Sequence, residues 1–97
     1  MDFNQIAKSI EEQAGKVSPL GGTFKLVLDD NIIYIDGTGD KNIVTYEDKD
    51  ADTTIITSMK ALEDMINGDL NPMMATMTGK VKIKGDMGLA MKLQSLL

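Results

Sequence analysis

The sequence predicts an α+β domain whose sheet has five strands, mixed in direction but built mostly from antiparallel pairs. Three observations predict it. Five short segments alternate apolar and polar residues or are rich in β-branched ones, and the first three are joined by turns of Asp, Asn and Gly. Four other segments place apolar residues at helical spacing. The last strand follows a helical segment rather than a hairpin turn, which points to a mixed sheet.

In order, Phe3, Ile6, Ala7, Ile10, Ala14 and Val17 recur at helical spacing opposite Glu11, Glu12 and Gln13. They predict an amphipathic helix over residues 3–14, ended by Gly15, Ser18-Pro19 and Gly21-Gly22. Residues 23–29 form a strand with Phe24, Leu26 and Leu28 toward the helices and Lys25 and Val27 away. After the turn Asp29-Asp30-Asn31 comes a strand over 32–36 that is apolar on both faces, so the pattern leaves open whether Ile33/Ile35 or Ile32/Tyr34 point inward. The turn from Asp36 to Asp40 leads to a strand over 43–47, completing an antiparallel meander. Residues 48–52 are a loop and 53–57 a β-branched strand. Ser58 caps a helix whose buried stripe is Met59, Leu62, Met65 and Ile66, with Gly68 just past its end.

The remaining 30 residues leave little slack. Asn71 is an N-cap, Pro72 suits the first helical position, and Gly79 ends a short helix over 72–78. Residues 80–84 alternate, sending Val81 and Ile83 inward and the lysines out. Gly85 breaks this strand, Asp86 caps the last helix, and Met87, Leu89, Ala90, Met91, Leu93, Leu96 and Leu97 follow. Wound as an α-helix, those positions sweep roughly 220° of circumference, whereas a helix on a sheet needs a stripe of little more than about 100°. The surplus face must meet a second helix, a partner chain or a bound apolar molecule.

The run Gly68-Asp69-Leu70-Asn71-Pro72, with Ala75, Met77, Gly79-Lys80, Lys82-Ile83, Gly85 and Met87-Gly88-Leu89-Ala90-Met91-Lys92-Leu93, closely resembles the sterol carrier protein 2 family. Weaker similarity extends through Ala51-Asp52-Thr53-Thr54-Ile55 and, by element order, to the N-terminus. The resemblance implies a five-stranded sheet with helices packed on one face around an apolar tunnel that holds a fatty acid, fatty acyl-CoA, phospholipid or sterol. On that basis the expected ligand-binding residues are Phe24, Leu26, Val81 and Ile83 on the sheet. Helical residues Leu62, Met65, Ile66, Met73, Met74, Met77, Leu89, Ala90 and Leu93 complete the set. The chain departs from the family's eukaryotic members at Ser95-Leu96-Leu97, where it lacks a covering tail and a peroxisomal address. A more open tunnel, or one closed by a second copy, is expected, and acyl lipids are favoured over sterol.

Composition narrows the chemistry. The 97 residues make one domain, 1–97, with neither Cys nor His. Disulfides, thiol chemistry and the usual nucleophile, base and zinc-ligand sets are therefore absent. No catalytic residue, metal or cofactor is expected. The net charge of −5 and the lack of Arg, all ten cations being Lys, argue against a nucleic-acid partner. Charge is uneven: residues 1–78 carry −8, and 79–97 carry +3. No segment reaches the length of apolar run that crosses a membrane, and the first residues lack a signal-peptide pattern, so a cytoplasmic protein is expected.

Several motifs resolve to ordinary structure. Asp48-x-Asp50-x-Asp52 opens like a calcium loop, but the required Gly is Thr53 and the bidentate Glu is Met59. Gly37-x-Gly39 lacks a third Gly and precedes a strand, so it is a hairpin turn. Seven of eight methionines lie between 59 and 91, a composition that fills gaps in a core but also lines walls that repack around varied guests. Lys80, Lys82, Lys84 and Lys92 serve solubility or meet anionic headgroups at a membrane surface. The expected function is lipid binding and transfer by a monomer or weak homodimer. The alternatives are a cargo-free interaction module that dimerises through the surplus face, and a thioesterase, which would need an activated nucleophile that no Ser or Thr offers.

Overall fold

The computed structural model describes all 97 residues. Its elements are α1 (Phe3–Lys16), β1 (Thr23–Leu28), β2 (Asn31–Asp36), β3 (Ile43–Thr45), β4 (Thr53–Thr57), α2 (Met59–Ile66), α3 (Pro72–Met77), β5 (Lys82–Gly85) and α4 (Met87–Ala90), followed by a 3-10 segment (Met91–Leu96). The sheet order is β3-β2-β1-β4-β5. β1 and β4 run parallel, and the other three pairs are antiparallel. The architecture is the mixed, mostly antiparallel α+β fold that the sequence predicts.

Capping side chains set the helix starts. Asp2 and Gln5 form a reciprocal capping box at α1, Ser58 Oγ accepts from Ala61 N at α2, and Asn71 Oδ1 accepts from Met73 N at α3. Gly15 does not stop α1, which runs to Lys16, where Val17 turns the chain to extended backbone. Gly68 and Gly79 adopt positive φ, as expected of residues that take the chain out of a helix.

Register decides which face of β2 is buried. Phe24 pairs with Ile35 and Leu26 with Ile33, and Leu26 also lies beside Ile55 of β4, which faces Ile83 of β5. These residues share one sheet face, and Ile33 and Ile35 join Phe24, Leu26 and Ile55 in the core. Ile6, Ala7, Ile10 and Ala14 of α1, with Leu62 and Met65 of α2, pack onto that core. The parallel β1–β4 pair is tied at its start by Thr23 and Asp52. The Asp52 carboxylate accepts from Thr23 N at 2.9 Å, and Asp52 N donates to Thr23 Oγ1 at 2.8 Å. Asp48 pairs with Lys25 at 3.0 Å, and the Asp50 carbonyl accepts from the Tyr34 hydroxyl.

The C-terminal segment departs from the expected single α-helix. After one α turn it tightens to 3-10 winding, in which residues i and i+3 eclipse. Ala90, Leu93 and Leu96 therefore fall in one narrow stripe, and all three are buried. Met87 and Met91 are left outside it. The wide apolar sweep of an α-helix is thus divided into a buried stripe and an exposed methionine face. No helix is long and apolar enough to cross a membrane.

Candidate functional site

The structure shows an open-sided groove of about 240 Å³ rather than a closed tunnel, set between α3, β5 and the C-terminal segment. Its floor is Ile55 of β4 with Val81, Ala90 and Leu93, all buried. Its rim is four methionines: Met73 is 60% exposed, Met77 78%, Met87 55% and Met91 61%. Pro72, Thr76, Ile83 and Gln94 complete the lining. No titratable residue is among them. The Thr76 hydroxyl donates its proton to the carbonyl of Pro72 at 2.9 Å, which leaves its acceptor lone pairs and the Gln94 amide as the polar side-chain groups available to a guest.

The local sequence explains why this wall has so little cover. α3 has six residues, and only Ala75 among them is buried. The Ala75 carbonyl accepts from both Lys80 N and Val81 N, which anchors the helix to the start of the last strand region. Asn71 satisfies the free N–H groups of the first turn. A short helix held at one small residue has no surface against which to bury Met73, Met74 and Met77. Across the groove, the 3-10 winding presents Met91, and Met87 stands one α turn before it.

Six of the residues expected to bind a ligand are brought together here: Met73, Met77, Val81, Ile83, Ala90 and Leu93. Phe24, Leu26, Leu62 and Met65 lie in the packed core, with Ile66 against it. Leu89 is buried at Gly22, on the side of the C-terminal segment where Lys92 Nζ donates to the Leu20 carbonyl at 2.7 Å. Met74 is exposed but does not line the groove. The groove lining also takes in Ile55, Pro72, Thr76, Met87, Met91 and Gln94, which were outside the expected ligand-binding set, Met87 and Met91 having been read only as members of the methionine cluster. A signal was present for two of them, because Met87 and Met91 repeat the i, i+4 spacing of Met73 and Met77.

Charge lies outside the groove. Lys80, Lys82 and Lys84 are exposed and take part in none of the ion pairs, which join Lys25 to Asp48, Lys49 to Glu47, Lys60 to Asp64, and the N-terminus to Glu63. The perturbed titrations are also remote. The Tyr46 hydroxyl donates to the Glu11 carboxylate, which pushes the phenol up to about 12, with desolvation and the Glu11 charge adding to the shift. Thr38 donates its hydroxyl and backbone N–H to Asp36, holding that carboxyl below its usual range. The groove thus offers apolar contact, one amide and one hydroxyl acceptor, with no titratable side chain to act as acid or base.

Comparison with known proteins agrees with this architecture. Residues 3–97 match the SCP-2 sterol transfer family. The rat protein named sterol carrier protein 2 is 37% identical over 97% of this chain, which spans 19% of that relative's length. The solution structure of sterol carrier protein domain 2 from Helicoverpa armigera is 29% identical, covers 98% of this chain with 72% of its own, and superposes with a TM-score of 0.66. The crystal structure of sterol carrier protein 2 like 2 from Aedes aegypti, at 22% identity, shares the fold with a TM-score of 0.77 over 97% of this chain and 94% of its own. With sheet order, helix placement and the family match in agreement over nearly its whole length, the chain belongs to the SCP-2 sterol transfer family.

Proposed function

We propose that this domain is a lipid carrier that takes the acyl chain of a fatty acid or fatty acyl-CoA into the groove between α3, β5 and the C-terminal segment. The observation that carries this reading is a concave, uncharged lining of nine hydrophobic residues among twelve, rimmed by exposed methionines, in a chain of a lipid-transfer family. Exposed large apolar side chains gathered at one place mark a surface that meets something. A flexible thioether wall suits a guest of variable shape.

Size sets the terms of binding. The groove holds about eight water- or methylene-sized groups, taking about 30 Å³ for each. At about 0.8 kcal/mol per buried CH₂, that is about 6 kcal/mol before the cost of ordering ligand and protein. The groove is smaller than the usual ligand pocket of about 300–1,000 Å³. A long chain therefore enters fully only if the four methionines swing aside and re-close over it. Lys80, Lys82 and Lys84 make no ion pair and lie outside the groove lining, Lys82 and Lys84 on the sheet face opposite Ile83, so they serve an encounter with an anionic surface, at about 1 kcal/mol each, rather than the guest in the groove. The carrier holds and releases its guest without covalent chemistry.

Native mass spectrometry before and after addition of a long-chain fatty acyl-CoA tests the proposal. A one-to-one adduct is the expected result. The exposed rim gives the second reading its own support, since two copies would also cover the methionines by facing each other. A concentration-dependent dimer with no lipid uptake would establish that reading and remove the carrier.

A further inference from the structure

We propose that Met73, Met77, Met87 and Met91 form a reversible oxidation site through which a peroxide lowers the retention of cargo in the groove. The inference rests on the carrier reading and adds a control to it. The chain has no Cys and no Trp, so the methionine thioethers are its side chains most open to two-electron oxidation. Susceptibility follows access. All four rim sulfurs belong to side chains more than half exposed, whereas Met65 is buried in the core. The accessible thioethers and the groove's rim are largely the same residues: two i, i+4 pairs that face each other across one cavity.

The chemistry is complete with a peroxide as oxidant. The thioether sulfur attacks one oxygen of hydrogen peroxide, the O–O bond breaks as the S=O bond forms, and the second oxygen, as hydroxide, takes the proton of the transferred oxygen and leaves as water. Sulfur is oxidised by two electrons and the peroxide is reduced by two. Reversal takes a dithiol reductant acting through a methionine sulfoxide reductase, which returns the thioether and yields a disulfide and water. The product is a polar sulfoxide on the wall that has to lie against an acyl chain. Before oxidation the lining's polar side chains are Thr76, already bonded to Pro72, and Gln94. After it, up to four strong dipoles need water that a bound acyl chain would exclude.

The chain supplies its own controls. Met74 is also more than half exposed yet does not line the groove. Bound cargo should shield the rim four and leave Met74 reactive.

The test uses the full chain. Lipid uptake by the unoxidised protein is measured first by native mass spectrometry with palmitoyl-CoA, and absence of uptake overturns the carrier reading and this proposal with it. Given uptake, the protein is treated with limiting hydrogen peroxide with and without palmitoyl-CoA, and each methionine is followed by peptide mass spectrometry. The expected pattern is rapid oxidation of the rim four and Met74 with Met65 spared, and protection of the rim four alone by cargo. Oxidised protein should bind at least about tenfold more weakly and recover after treatment with a methionine sulfoxide reductase and dithiothreitol. The fourfold variant Met73→Leu, Met77→Leu, Met87→Leu and Met91→Leu lacks the oxidisable thioethers, and whatever affinity it has for palmitoyl-CoA before peroxide, that affinity should be the same after it. The two pairs of substitutions made separately, each expected to remove part of the sensitivity, serve if the fourfold variant fails to fold. Three results overturn the proposal: equal rim oxidation with and without cargo, unchanged binding after rim oxidation, or as large a loss in the leucine variants as in the wild type.

Discussion

Replacing Met77 with Asp separates the groove from the fold. Met77 ends α3 and is mostly exposed, so in the lipid-free protein the new carboxylate sits in water. The remaining stability cost is an acidic residue at a helix C-terminus, about 1 kcal/mol or less. With an acyl chain in the groove the same carboxylate must be desolvated, protonated or left without its lipid contact. Losing the contact sets the lower bound, about 1.5 kcal/mol for the buried side chain. Protonation sets the upper bound. Raising an ordinary Asp pKa of about 3.9 to pH 7 costs about 4 kcal/mol at 1.36 kcal/mol per unit. Affinity should therefore fall by between about tenfold and about a thousandfold. The assay is displacement of a fluorescent fatty acid at pH 7, alongside urea unfolding of the lipid-free protein. Met74→Asp on the same helix, outside the groove, is the control and should bind within about twofold of the wild type. Wild-type affinity in a folded Met77→Asp variant, or an equal loss in Met74→Asp, would refute the groove as the binding site.

Three further outcomes test the fold. Gly85 has φ +98°, and a Cβ there would overlap the carbonyl oxygen of Asp52, a backbone atom that already accepts from Asp86 N. Gly85→Ala should lose more than about 2 kcal/mol in urea unfolding. Leu96 is fully buried in the 3-10 stripe, so Leu96→Ala should cost about 2–5 kcal/mol, and a loss below about 1 kcal/mol would show that the C-terminal segment is not anchored as described. The Tyr46 phenol is raised by Glu11 from 10.0 to about 12, so the stability that this shift contributes is fully present below pH 10 and lost as pH rises through 12. The stability difference between wild type and Tyr46→Phe should be constant up to pH 10 and shrink over that interval. Spectrophotometric titration should show one phenol ionising near pH 12 that the variant lacks.

Several determining interactions were local and the sequence carried them, although Gly15 did not end α1. The N-caps Ser58 and Asn71, the first helical position at Pro72 and the helix exits at Gly68 and Gly79 act on backbone groups a few residues away. The inward set Phe24, Leu26 and Leu28 follows from the two-residue period of a strand, and all three are buried. The family resemblance carried by residues 68–93 reached the architecture as well. The strand β2 was legible but its facing was not, because Ile32, Ile33, Tyr34 and Ile35 suit either face, and only pairing with β1 placed Ile33 and Ile35 in the core.

The groove was legible in part. Its methionine wall could be read from composition, but apolar residues that line a cavity and those that fill a core have the same periodicity. Phe24, Leu26 and Leu62, expected to bind ligand on the strength of the family resemblance, lie in the packed core and not in the groove lining. Ile55 was hidden as one β-branched residue among several, although the parallel β1–β4 and antiparallel β4–β5 pairings put it on the groove floor. The last element shows the division most clearly. The order of residues from Met87 to Leu97 determined that the segment would be apolar and capped by Asp86. Whether it wound at 3.6 or 3.0 residues per turn was decided by packing, because the tighter winding aligns Ala90, Leu93 and Leu96 on the core and leaves Met87 and Met91 to the groove.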